Sequence, residues 1–325
     1  MTVNASGHCE MDPEILRILE HRMISSTPLW EKTALEARST RSARERPEQD
    51  NGGLGVSDVV LKAPRRNLPL RVYKPATGKT GTVLFFHGGG FVTGNLDTHH
   101  DQAVMLCQIT GRTVVSVDYR LAPENPFPSA VDDALYVADW VLSGTAMAEV
   151  GLPDQQLAVA GASAGANLAA NVAHQYARHG QRIAAQLLAY PWMQAGHETQ
   201  SRAEFKDGLG LSTRMLNWYE AQYLPNATPE TLKSFSLIGN GVHRKLPSTV
   251  LSVAMMDPLR DDGLAYEKEV TMGGTRIWSQ HAYSMPHGFW GMTRSSTQAM
   301  AYAREFCTEF ASVLDAALGN PGQPN

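Results

Sequence analysis

The chain has 325 residues, 43% of them hydrophobic and 18% charged, and carries a formal net charge of −4 at pH 7. Length and apolar content suffice for one large α/β domain with a sizeable core, or for two ordinary ones. A mildly acidic chain offers no electrostatic case for nucleic acid or an anionic membrane as its main partner.

The N-terminal "MTVNASGHCEMDPEILRILE" has no basic region followed by a long apolar stretch, so no secretory signal and no membrane span are expected, and a cytoplasmic location follows by default. "DPEILRILEHRM" spaces Ile15, Leu16, Ile18 and Leu19 as a helix, with Asp12 as N-cap and Pro13 at the first helical position. "EARSTRSARERPEQDNGGLG" reads as a solvated helix face passing into a flexible loop; its mixed charges argue against a phosphate or nucleic-acid contact. From Val56 the period changes. "VSDVVLKA" and "LPLRVYKPA", joined by "PRRN", predict a hairpin at a sheet edge. "TVLFF", "TVVSVDY", "LAVAG", "IAAQLLAY" and "TVLSVAM" are apolar runs of the kind buried on both faces, and "TRIWSQHAY" is the last strand candidate.

Helical patterns lie between these strands, roughly at Thr98–Ile109, Ser129–Leu142, Ala164–Arg178 and Gly263–Thr271, and the C-terminal "QAMAYAREFCTEFASVLDAAL" is strongly helical. Buried strands alternating with helices predict a mostly parallel sheet covered on both faces. The stretch between Tyr190 and Leu246 breaks the rhythm and contains Trp192, Trp218, Tyr219 and Tyr223; an excursion from the C-terminal end of a parallel strand is placed to cover a site there. Cys9, Cys107 and Cys307 lie far apart without metal-ligand or disulfide spacing and read as free thiols, with no metal expected.

Two stretches are candidates for chemistry. "VAGASAGANLAAN" leads an apolar run through Gly161 to Ser163 and Gly165 and into an Ala-rich helix. It fits either a tight strand-to-helix corner or a nucleophile elbow, G-x-S-x-G, which lifts a serine hydroxyl above the end of a sheet. In "FFHGGGFVTGN" the successive glycines Gly88, Gly89 and Gly90 follow a buried strand. Such a run is costly in entropy unless backbone N–H groups must approach a ligand, as an oxyanion hole requires. The phosphate-loop spacings are absent. His87 reads as orienting this loop rather than as a base.

With "DYRLAPENPFPSAVDDA", "GASAGANLA", "DPLRDDG" and "PHGF" following "HGGGF" in that order, the chain resembles the hormone-sensitive-lipase-like family (family IV) of α/β-hydrolase esterases from about Val72 to Leu318. "HGGGFVTGNLDTHHD" resembles the bacterial acetyl esterases of that family in particular. The resemblance implies an α/β-hydrolase catalytic domain over 51–325, with a helical cap formed by an N-terminal segment, 1–50, and an insertion at about 193–240.

It further implies Ser163 as nucleophile, His287 as base and Asp257 as the residue that fixes the His287 tautomer, in the chain order of this fold. Asp261 and Asp262, ahead of a helix, read as N-cap residues, and His281 within a strand as structural. Gly88, Gly89 and Ala164 are the expected oxyanion donors. The prolines of "DYRLAPENPFP" fix a loop, with Asp118 and Arg120 as a supporting ion pair.

Ala162 stands where the family commonly has Asp or Thr; the resemblance therefore implies the loss of a polar contact that supports the elbow or the neighbouring loop. The expected activity is hydrolysis of short acyl esters, acetyl esters foremost, without cofactor, on a small-molecule ester; a homodimer is left open. An amide deacetylase with the same triad is the alternative, and a non-catalytic receptor is disfavoured because all three triad positions are filled.

Overall fold

The computed structural model describes residues 10–24, 27–44, 50–64, 66–207, 210–239 and 246–319. Cys9 lies outside them. The expected hairpin is β1 (Gly55–Ala63) and β2 (Arg66–Lys74), paired antiparallel from Gly55↔Lys74 to Ala63↔Arg66. The buried runs become β3 (Thr82–Phe86), β4 (Thr113–Val117), β5 (Leu157–Ala162), β6 (Ala185–Ala189), β7 (Ser248–Met256) and β8 (Ile277–Pro286). They form one eight-stranded sheet in the order β1-β2-β4-β3-β5-β6-β7-β8, with β2 antiparallel to β1 and β4, and β4 to β8 all parallel.

Successive residues of a strand point to opposite faces, so one run feeds two cores. Leu84 and Phe86 of β3 enter the core beneath α4 (Ser129–Leu142) and α6 (Ala164–Arg178), with the short α5 (Thr145–Val150) packed on α4 between them in the chain. Val83 and Phe85 enter the other, beneath α3 (His100–Thr110) and α11 (Thr297–Leu318). This is the α/β-hydrolase fold, a mostly parallel sheet with helices on both faces. Cys107 and Cys307 are buried free thiols within the second core.

Two helical stretches lie outside this sandwich. Before the sheet come α1 (Pro13–Ile24), a short 3₁₀ turn at Leu29–Glu31, and α2 (Ala34–Arg44). Asp12 caps α1 as expected, its Oδ1 accepting the Ile15 N–H at 3.0 Å. Between β6 and β7 come α7 (Gln200–Glu204), α8 (Thr213–Tyr223) and α9 (Pro229–Phe235). Among the described residues no helix is long and apolar enough to cross a membrane.

Candidate active site

Gly161 and Gly165 explain the corner after β5. A Cβ on Gly161 would sit 2.2 Å from the Gly165 carbonyl oxygen, and one on Gly165 would sit 2.0 Å from the Phe86 carbonyl oxygen. With no side chain at either place, α6 starts tight against β5 and β3. The residue between them, Ser163, takes φ +57°, ψ −120°, a conformation that L-residues rarely adopt. Its N–H donates to Ala189 O at 2.9 Å. The serine is thus pinned above the C-terminal edge of the sheet, and its side chain makes no capping bond to α6.

Two loops from parallel strands two and three places further along the sheet reach it. Asp257 follows β7, and His287 follows β8. His287 Nε2 is 2.8 Å from Ser163 Oγ, and His287 Nδ1 is 2.6 Å from Asp257 Oδ2. The carboxylate can only accept, so the ring proton sits on Nδ1, and Nε2 is left with the lone pair that accepts from the serine hydroxyl. Asp257 is fully buried, and its Oδ1 accepts the Leu259 N–H at 2.8 Å. The structure brings together Ser163, His287 and Asp257. His281 is elsewhere, its Nε2 2.8 Å from Glu267.

The glycine loop differs from expectation at one position. Gly88 N–H donates to His99 Nε2 at 3.1 Å, so it is spent inside the protein and drops out of the donor set. Two carbonyls of the loop are pinned as well. Gly88 O accepts from His87 Nδ1 at 2.9 Å, and Gly89 O accepts from the N–H groups of Val92 and Thr93 at 3.1 and 2.9 Å. In a planar trans peptide the N–H points opposite to the C=O. The N–H groups of Gly89 and Gly90 are therefore the ones turned away from the loop's own bonds. Neither these two nor the Ala164 N–H meets an acceptor among the described residues. Gly89 makes the turn possible, since at φ +129° a Cβ would lie 2.1 Å from Thr93 O.

His87 does orient the loop. Besides its bond to Gly88 O it stacks on Tyr119, with ring centroids 4.2 Å apart, and burial pushes its pKa down to about 4, so it stays neutral.

Three supporting assignments also change. Arg120 pairs with Asp133 at 2.9 Å and not with Asp118, because Asp133 is fully buried at the start of α4 and needs countercharge. Asp118 lies 3.9 Å from His87 instead. Asp261 and Asp262 do not cap the helix they precede: α10 (Arg260–Met272) already includes them. Their carboxylates bind other elements, Asp261 accepting the Ser201 N–H and Asp262 those of Met193 and Gln194.

A cavity of about 660 Å³ opens over Ser163 and His287. Trp30 from the N-terminal stretch and Met215, Leu216 and Tyr219 from α8 line it. Tyr219 lies on the glycine loop, its ring 2.3 Å from where a Gly90 Cβ would be, and Arg214 of α8 stacks over Trp30 at 4.4 Å. His99 lay within the quoted loop motif without an assigned role; only its tertiary hydrogen bond to Gly88 reveals what it holds.

Residues 83–291 match the family described as the alpha/beta hydrolase fold. The chain belongs to the α/β-hydrolase family. The carboxylic ester hydrolase LipN of Mycobacterium tuberculosis is 36% identical over 72% of this chain, a match spanning 64% of LipN's own length. An ethyl acetate hydrolase of Pseudomonas putida is 33% identical over 73% of this chain and 76% of its own. Among solved structures, a thermostable esterase from Pseudomonas putida superposes with a TM-score of 0.82 at 29% identity, covering 95% of this chain and 99% of that one. Within the family this chain is a serine ester hydrolase of the hormone-sensitive-lipase-like group.

Proposed function

We propose that the chain is a carboxylesterase that cleaves short-chain acyl esters, acetyl esters foremost, through an acyl-enzyme on Ser163. The observation that carries this reading is the unbroken relay from Ser163 Oγ through His287 to Asp257, beside three backbone N–H groups that meet no acceptor among the described residues.

Ser163 Oγ attacks the acyl carbon as its proton passes to His287 Nε2. The carbonyl π pair moves onto oxygen, where Gly89, Gly90 and Ala164 donate to it; preorganised donors of this kind act on charge that develops only in the transition state. Asp257 accepts from Nδ1 throughout and stabilises the imidazolium. The bond from carbon to the alcohol oxygen then breaks as Nε2–H protonates the leaving oxygen. Water repeats the sequence, His287 taking its proton, and releases the carboxylic acid and free Ser163. The stretch to residue 50 and the insertion at about 193–240 act as the cap over this site, with 51–325 as the catalytic domain.

The preference for short acyl groups rests on the motif resemblance, on the ethyl acetate hydrolase relative and on the rings that line the cavity. Burying one methylene favours binding by about 0.8 kcal/mol, whereas overpacking costs about 1–3 kcal/mol, so exclusion wins once the acyl side is full. In a series of aryl esters from acetate to decanoate, kept below their micelle concentrations, kcat/KM peaks at about two to four acyl carbons and falls at least about tenfold by about eight. Mass spectrometry of the quenched reaction shows the acyl group on Ser163. A peak at eight carbons or longer would make the short-chain assignment wrong, and an aryl acetamide cleaved as fast as the matching acetate would make the enzyme an amide deacetylase.

A further inference from the structure

We propose that His99 is a positioning residue for the oxyanion loop: its Nε2 accepts the Gly88 N–H, clamps the peptide that starts the loop, and leaves Gly89 and Gly90 as the donors. The inference rests on the esterase reading of the site.

The clamp has two ends. The His87–Gly88 peptide carries the Gly88 N–H on one side and the His87 C=O on the other. His99 Nε2 holds the first at 3.1 Å, and the Tyr119 hydroxyl donates to the second at 2.8 Å. A planar peptide fixed at both its donor and its acceptor cannot rotate. Every later plane of the loop is laid off from this one. His99 is buried at the N-terminal end of α3, so its position comes from a packed helix and not from the loop itself.

The ring's protonation follows from its neighbours. A backbone N–H can only donate, so Nε2 must carry a lone pair. Arg41 Nη2, 3.4 Å away, is a second donor aimed at the same nitrogen. The proton therefore sits on Nδ1, which lies 2.8 Å from Thr98 Oγ1. Burial, then the charge of Arg41, holds the pKa well below the ordinary histidine range, so the ring stays neutral. That neutrality matters. A carboxylate would also accept the Gly88 N–H, but it would set a negative charge beside the developing oxyanion. Imidazole supplies the acceptor without the charge.

The test is a set of three variants assayed on an aryl acetate. His99→Leu removes the acceptor, His99→Glu keeps an acceptor but adds charge, and His99→Gln keeps a neutral one. The expected result is a drop in kcat of about 10–100-fold for Leu with KM within about threefold, and recovery to within about fivefold of wild type for Gln, with Glu well below Gln. Affinity for a trifluoromethyl ketone, which forms the tetrahedral adduct, falls in step with kcat/KM. Long-range ¹⁵N correlation spectra of histidine-labelled wild-type enzyme show His99 protonated on Nδ1.

A folded Leu variant with wild-type kcat would overturn the proposal, as would a Gln variant as impaired as Leu, or an Nε2-protonated His99. If Leu does not fold, the Gln and Glu pair and the spectra decide. Failure of the esterase reading looks different: wild type would then cleave no acyl ester while the His99 tautomer remained measurable.

Discussion

Ser163 is held in its strained turn by what Gly161 and Gly165 lack, and in the proposed reaction its chemistry depends on which atom of His287 carries a proton. Replacing the hydroxyl in Ser163→Ala leaves the backbone turn, the Ala189 bond and both glycines in place. The expected loss is about 10⁵–10⁶-fold in kcat with unchanged thermal melting, because the three relay residues act as a unit. A purified variant that still turns over an aryl acetate at near wild-type rate would remove Ser163 from the mechanism. That Ser163, Asp257 and His287 come together was legible in the sequence, since motif order and strand ends place them. Gly88 was not. Whether a backbone N–H is free depends on a partner eleven residues away, and only the packing of α3 decides that. The same holds for Arg120, whose partner Asp133 is set by burial in α4 rather than by proximity along the chain.

At the scale of elements, the strands were readable because buried parallel strands are short continuous apolar runs. The helices between them came out to within a few residues, α4 and α6 at their full extent. The helices over the site were harder, because each buries only a narrow stripe against the body. What fixes α2 is polar and invisible to periodicity. Thr33 and Glu36 exchange bonds in a capping box at its start. Arg38 then reaches across to three anchors: Val92 O at 2.7 Å, Ala122 O at 2.6 Å, and the carboxylate of Glu124. Val92 lies just past the glycines, so this arginine ties the N-terminal stretch to the oxyanion loop. Arg38→Ala is expected to loosen that wall and raise KM about fivefold, roughly 1 kcal/mol, with a smaller change in kcat. Faster trypsin cleavage at Lys32 is the matching structural readout. Unchanged KM and unchanged proteolysis would show that α2 holds without the clamp.

For the molecule as a whole, the question is what joins the helices over the site to the sheet beneath. Asp262, on α10 behind β7, is fully buried and accepts from the N–H groups of Met193 and Gln194, where the chain leaves β6 for the insertion. Sequence placed it at a helix start and read a cap, because a carboxylate in a first turn looks the same whether it serves its own helix or another segment. Burial pushes its pKa up to about 6 from an ordinary 3.8, against the lowering effects of Arg202 and the accepted bonds. The sign of the linkage follows. Between pH ~4 and ~6 the folded chain keeps a proton on Asp262 that the unfolded chain has released, so stability from this group is fully present below pH ~4 and is lost as pH rises through ~6. The shift corresponds to about 3 kcal/mol. Asp262→Asn keeps a neutral acceptor and cannot ionise. Relative to wild type, its unfolding free energy is therefore expected to improve by up to about 3 kcal/mol from pH 4 to pH 7, whatever the offset between the two proteins at pH 4. Denaturant unfolding at both pH values measures this difference directly. If the gap between variant and wild type stays constant across that window, Asp262 is already ionised in the folded protein and the tie between α10 and the insertion is a charged one.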